Sequence, residues 1–156
     1  MLADSLIVPE CIYRPGSFTG LMTIYESNYI KLRPFTDGLG DDSDRYLSAE
    51  TDDCDLHLEF VARERYTTTL RMTYWFGDAS GTDFVPDPDL KLRVYHDARL
   101  VEAFGGRHDN FKHHKLRELA AATHAQELDR RWRRNIMLNK WLDYLMDVGH
   151  RFQAVR

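Results

Sequence analysis

At 156 residues, with 43% hydrophobic, 12% aromatic and 29% charged side chains, the chain has the composition of one globular domain, which excludes a large multidomain enzyme, a collagen-like repeat and a disordered polypeptide. No apolar run approaches the roughly 20 residues a bilayer-spanning helix needs, so no membrane role is expected. The net charge of −4 conceals a split: residues 1–110 carry 11 Lys and Arg against 20 Asp and Glu, whereas residues 111–156 carry 10 against 5, so the two parts are expected to attract each other.

In chain order, residues 1–16 read as an N-terminal extension, without the basic segment and apolar run of a secretory leader. A first helix is predicted over 17–33, because Leu21, Ile24, Tyr25, Asn28, Tyr29 and Leu32 recur at spacings of three and four, with Ser17 or Thr19 as cap and Pro34 as terminator. The Gly- and Asp-rich stretch from Asp37 to Asp42 reads as a loop, and Tyr46 to Ala49 as a weak edge strand. In 54–64, Leu56, Leu58, Phe60 and Ala62 share one face; in 66–76, Leu70, Met72, Tyr74 and Phe76 alternate with Arg71, Thr73 and Trp75. The short link near Arg65 makes these two strands an antiparallel hairpin.

A loop containing Gly77, Gly81, Pro86 and Pro88 precedes a third strand, in which Leu90, Leu92 and Val94 alternate with Lys91, Arg93 and Tyr95. Val101 to Phe104 either continues that strand or returns beside it, and Gly105-Gly106 closes a sheet region spanning 45–104. From 111 to 149 one or two long helices follow, their stripe running through Leu116, Leu119, Leu128, Trp132, Ile136, Leu142, Leu145 and Met146, with Gly149 as the stop and a break near Ala120 to Thr123 as the alternative. The fold class is α+β: a single layer of three to five antiparallel strands, covered on one face by the N-terminal helix and the long C-terminal helices.

No GxSxG, P-loop, GxGxxG or HExxH pattern occurs, so the chain lacks the devices of the corresponding hydrolases, nucleotide-binding enzymes and zincins. Cys11 and Cys54 have no CxxC spacing, which fits a reducing cytoplasm, and the carboxylates around Cys54 argue against a nucleophilic thiol. His108, His113 and His114 could offer imidazoles to a metal, but loop histidines are ordinarily solvated, and no metal or cofactor is expected.

The densest reactive cluster is Tyr95-His96-Asp97-Ala98-Arg99, whose side chains converge only if the chain turns where the strand ends. Beside it, alternation sends Arg71, Arg93 and Lys91 to the face away from the core, which predicts an Arg-rich sheet surface suited to a carboxylate or phosphate. Trp132, four residues from both Leu128 and Ile136, belongs to the apolar stripe rather than to an RNA-stacking surface.

Four stretches resemble the YqiB-like family, a bacterial domain of unknown function. They are Glu26-Ser27-Asn28-Tyr29-Ile30-Lys31-Leu32, Arg65-Tyr66-Thr67-Thr68-Thr69-Leu70, Leu92 to Arg99 with Glu102, and Asn139-Lys140-Trp141-Leu142 leading to Gly149-His150. The resemblance implies a cytoplasmic bacterial protein and names no substrate. It carries over Glu26, Asn28 and Tyr29, Arg65 and Tyr66, and Arg93 to Arg99; Gly105 to Gln126 departs from the family's text.

The leading expectation is therefore a non-enzymatic cytoplasmic binding or regulatory module. It would hold an anionic small molecule or an acidic protein segment through Arg65, Tyr66, Arg71, Arg93, Tyr95, His96, Asp97 and Arg99, with Glu26 and Asn28 nearby. An enzyme acting on a phosphorylated small molecule or nucleotide, with His96 and Asp97 as acid–base pair, is the alternative. RNA binding through the basic C-terminal helix ranks third, and self-association into a homo-oligomer is left open.

Overall fold

The computed structural model describes residues 17–49, 51–77, 84–106 and 124–155. The extension 1–16 with Cys11, the loop residue Gly81, and the 107–123 segment with His108, His113, His114 and the expected helix break lie outside the described residues.

Helix α1 runs from Phe18 to Thr36 and opens on Ser17, whose Oγ accepts the Gly20 N–H at 3.0 Å. Its inward face is Leu21, Ile24, Tyr25, Asn28, Leu32 and Phe35. The helix passes through Pro34 instead of ending there. The reason is tertiary: Phe35 is buried in the core and meets Phe152 edge-on, and the Asp37 N–H still closes the last turn on the Arg33 carbonyl at 2.7 Å. Burial of one large aromatic, worth roughly 1.5–3 kcal/mol, offsets much of what a proline inside a helix costs.

Six antiparallel strands form one open sheet: β1 Arg45–Ser48, β2 Leu56–Arg63, β3 Thr67–Gly77, β4 Phe84–Tyr95, β5 Leu100–Gly106 and β6 Gln153–Ala154, in the spatial order β5-β4-β3-β2-β1-β6. The first five make a meander, as the short links require. Three expectations change. Among the described residues the sheet has six strands rather than three to five, because the tail adds β6 and Leu100–Gly106 returns as a strand of its own. Pro86 and Pro88 lie inside β4 rather than in a loop, because β5 joins β4 only from Leu90 onward, so the prolines face no ladder on that side. And β1 is not the edge, since the two-residue β6 from the C-terminal tail pairs outside it.

The β2–β3 hairpin turns at Arg65, closed by the Glu64 N–H to the Thr67 carbonyl at 2.8 Å. Between β4 and β5 the turn His96-Asp97-Ala98-Arg99 places Arg99 at φ 55°.

Helix α2, His124–Val148, lies with α1 on one face of the sheet. Strand alternation delivers Leu56, Leu58, Leu70, Met72, Leu90, Leu92 and Val94 to that face, where Leu32, Leu138, Trp141, Leu142 and Leu145 cover them. Each such burial is worth roughly 1.5–3 kcal/mol. A smaller cluster of Leu21, Ile24, Tyr25 and Trp132 fixes the crossing of the helices. Trp132 is 7% exposed, so it is core, and Gly20 is required beneath it because a Cβ there would come within 2.8 Å of the indole.

The outer edge of β5 is covered by side chains. Asn135 accepts the Ala103 N–H at 2.7 Å and donates to the Ala103 carbonyl at 3.2 Å, while Asn28 donates to the Val101 carbonyl at 3.3 Å. These buried amides do what a neighbouring strand would do, and Asn139 links them by donating to the Asn28 Oδ1 at 3.1 Å.

At the other end, Gly149 at φ 90° stops α2, and His150 ties the tail to the sheet. Its Nδ1 pairs with the Ser48 Oγ at 2.8 Å and its Nε2 with Asp53 at 3.0 Å, while the Tyr74 hydroxyl donates to the same carboxylate at 2.6 Å.

Candidate functional site

Strand β4 divides the predicted constellation. Arg71, Arg93 and Tyr95 stand on the outer face of the sheet, as alternation requires, whereas His96 falls on the helix side, beside Thr68 and the inward-facing Leu70 and Val94. The expected convergence of Arg71, Arg93 and His96 does not occur.

The outer cations are also engaged. Arg71 makes a two-pronged pair with Asp89, Nε to Oδ1 and Nη2 to Oδ2 both at 2.8 Å, and the Thr73 hydroxyl donates to Oδ1 at 3.0 Å. Burial would raise the Asp89 pKa, but the bonds from Arg71 and Thr73 outweigh it and leave the carboxyl below its ordinary value. Arg93 lies over the Phe104 ring at 4.4 Å with Glu102 at 3.9 Å, and the Tyr95 hydroxyl donates to Glu102 at 2.7 Å. Lys91 remains exposed.

His96 has a different setting. Its Nε2 is 2.7 Å from the Thr68 Oγ1, and the pair borders a cleft of about 390 Å³ between the second half of α1 and the sheet. Leu32, Leu70, Val94 and Val101 form an apolar floor, Tyr29 and Phe60 supply rings, and Arg33 and Arg63 reach the rim. The Arg33 guanidinium lies 5.7 Å from the Tyr29 ring centre and that of Arg63 lies 4.1 Å from Phe60. Arg33 pairs with Asp37 at 3.1 Å, and Arg63 pairs with Asp44 and Asp41, so the rim carries both signs. Among the described residues, Arg130, Arg131 and Arg133 pair with Glu127 and Asp129 on their own helix, while Lys31–Asp143 and His150–Asp53 join the two parts of the chain.

A second hollow of about 520 Å³ adjoins the first, sharing Tyr29, Arg33 and Asp37 and adding Glu26, Ile30, Pro34, Ala98 and Arg99. Arg99 is exposed, holds a left-handed backbone conformation that suits glycine better, and has no carboxylate partner among the described residues.

The other sequence candidates fall outside the cleft. Asn28 is buried and its amide is spent on Val101, Asn135 and Asn139. Arg65 stacks on Tyr66 at 5.1 Å at the exposed hairpin tip. Asp97 accepts the Ala98 N–H at 2.9 Å, shaping its own turn, and the His96 Nε2 meets Thr68 rather than Asp97, so the expected acid–base pair is not assembled.

Sequence reasoning missed Thr68, Arg33 and Phe60. One signal was available for Thr68, a polar residue in the row that continues with Leu70 and Met72. It also missed the Ser48, Asp53, Tyr74 and His150 network, whose members lie on four segments and share no local pattern. Ser48 is 2% exposed and accepts the Arg151 N–H at 3.0 Å, so its oxygen closes the fold and is not presented to a substrate.

A family model described as a protein of unknown function, DUF1249, matches residues 31–151. No curated protein and no solved structure matches the chain.

Proposed function

Because the chain belongs to the DUF1249 family, whose function is not established, we propose its role from its own geometry: it is a binding module, and its ligand seat is the cleft between α1 and the His96 end of the sheet. The observation that carries this reading is the cleft itself. Segments distant in sequence, namely α1, the β2–β3 hairpin and the β4–β5 turn, meet over an apolar floor with a small number of polar groups around it, which is the ordinary make-up of a small-molecule site. The outer sheet face is the weaker seat, since a ligand there would have to compete with Asp89 for Arg71. An acidic group on the ligand is met instead by Arg99, which leaves the anionic character of the expected ligand in place and moves its anchor. The YqiB-like, bacterial and cytoplasmic readings belong to the same proposal.

The test is nuclear magnetic resonance of the labelled chain, titrated with small aromatic and aliphatic acids and phosphates. Amide shifts gathered on Tyr29, Thr68, His96 and Arg99 are the expected result. Shifts gathered on Arg71, Lys91 and Arg93 would return the site to the outer face, and no shifts at either place would remove the binding role.

A further inference from the structure

The cleft's walls narrow the class of ligand. Phe60 and the Arg63 guanidinium, 4.1 Å apart, form a layered π surface on the β2 side, and Tyr29 with Arg33 forms a second on the α1 side. Aromatic faces and guanidinium planes are the groups on which flat heterocycles stack. An aliphatic chain would meet the floor but make no use of the rings and guanidinium planes.

The rim offers both halves of the hydrogen-bond code. Arg33 and Arg63 donate, Asp37, Asp41 and Glu64 accept, and the Thr68 hydroxyl and His96 imidazole, 2.7 Å apart, can each do either. With three carboxylates against two guanidinium groups, this hollow repels a polyanion but suits a neutral ring whose edge alternates amino or imino donors with ring-nitrogen or carbonyl acceptors. The cation that does suit an anion, Arg99, stands in the adjoining hollow, beyond Tyr29.

We infer that the cleft takes a mononucleotide, its base in the hollow walled by Phe60, Arg63 and Tyr29 and read by Thr68 and His96, and its phosphate directed to Arg99. The inference rests on the cleft being the ligand seat, and it adds the chemical class and the orientation. No bond is made or broken; this is a binding site.

The experiment uses three probes, AMP, adenosine and octanoate, with calorimetry for affinity and amide shifts for location. AMP is expected to bind at Tyr29, Thr68 and His96, and adenosine to bind the same residues more weakly. Phe60→Leu, which keeps an apolar side chain in place, should weaken both by roughly tenfold through lost stacking. Arg99→Gly removes the cation at a φ that glycine adopts freely; it should weaken AMP by about tenfold and leave adenosine unchanged. Octanoate bound in the cleft with neither nucleoside nor nucleotide binding would overturn the class while leaving the ligand seat standing. If none of the three probes moves those residues, the mononucleotide inference falls, and the acid and phosphate titration decides separately whether the seat survives. Equal loss of AMP and adenosine binding in Arg99→Gly would overturn the orientation.

Discussion

The two faces of β4 carry different side chains, and the face richer in charge is not the one that leaves space beside it. On the outer face, where the sequence concentrates its cations, Arg71 and Arg93 are drawn to Asp89 and Glu102 and the charge closes on itself. On the helix side, where the sequence shows only one histidine at the strand's end, residues from α1, β2, β3 and β4 leave a hollow between them. Clustering along a chain marks a site less well than failure to fill space does, because neighbouring opposite charges satisfy each other more cheaply than water is replaced by a ligand.

That contrast can be broken by stability measurements, since an outer face built for structure should suffer more from substitution than a cleft kept for a ligand. The largest effect is expected for Gly106→Ala: a Cβ there would sit 2.2 Å from the Asp89 carbonyl oxygen, a backbone atom that cannot step aside. Urea unfolding should show a loss of about 3 kcal/mol. Asp89→Asn should follow at about 2 kcal/mol, below the figure for a fully buried pair because Arg71 keeps partial access to water.

The same carboxylate sets an acid limit. The folded pKa values of Asp89 and Asp53 lie below the ordinary 3.8, so the stability they contribute is fully present above that pH and is lost as pH falls through the folded values. Tryptophan fluorescence during acid titration should therefore show unfolding beginning below about pH 4, and Asp89→Asn should flatten that limb.

In the cleft, Thr68→Val removes one hydrogen bond to an exposed imidazole and should cost about 1 kcal/mol at most. Arg99→Gly comes last and has the opposite sign, a gain of roughly 0.5 kcal/mol in the thermal midpoint analysis, because the strained φ is relieved. A Thr68→Val penalty exceeding that of Asp89→Asn would reverse the assignment of roles to the two faces.

Much of the fold was legible. Alternation in Leu56 to Ala62, Leu70 to Phe76 and Leu90 to Val94 gave the central strands, and the three- and four-residue spacing of Leu21 to Leu32 gave α1. What was not legible depended on tertiary partners: Phe35 carrying the helix past Pro34, the tail folding back as β6, and prolines tolerated where β5 does not reach. The site was legible only in part. His96, Tyr29, Glu26 and Arg99 were in view, but alternation alone fixes which side a strand residue takes, and says nothing of which distant arginine or phenylalanine will stand opposite.

The paired asparagines against β5 have one more consequence. By occupying Val101 and Ala103 they take up backbone groups that an incoming polypeptide would need as a template there, whereas at the opposite flank Gln153 and Ala154 are paired on one side only among the described residues.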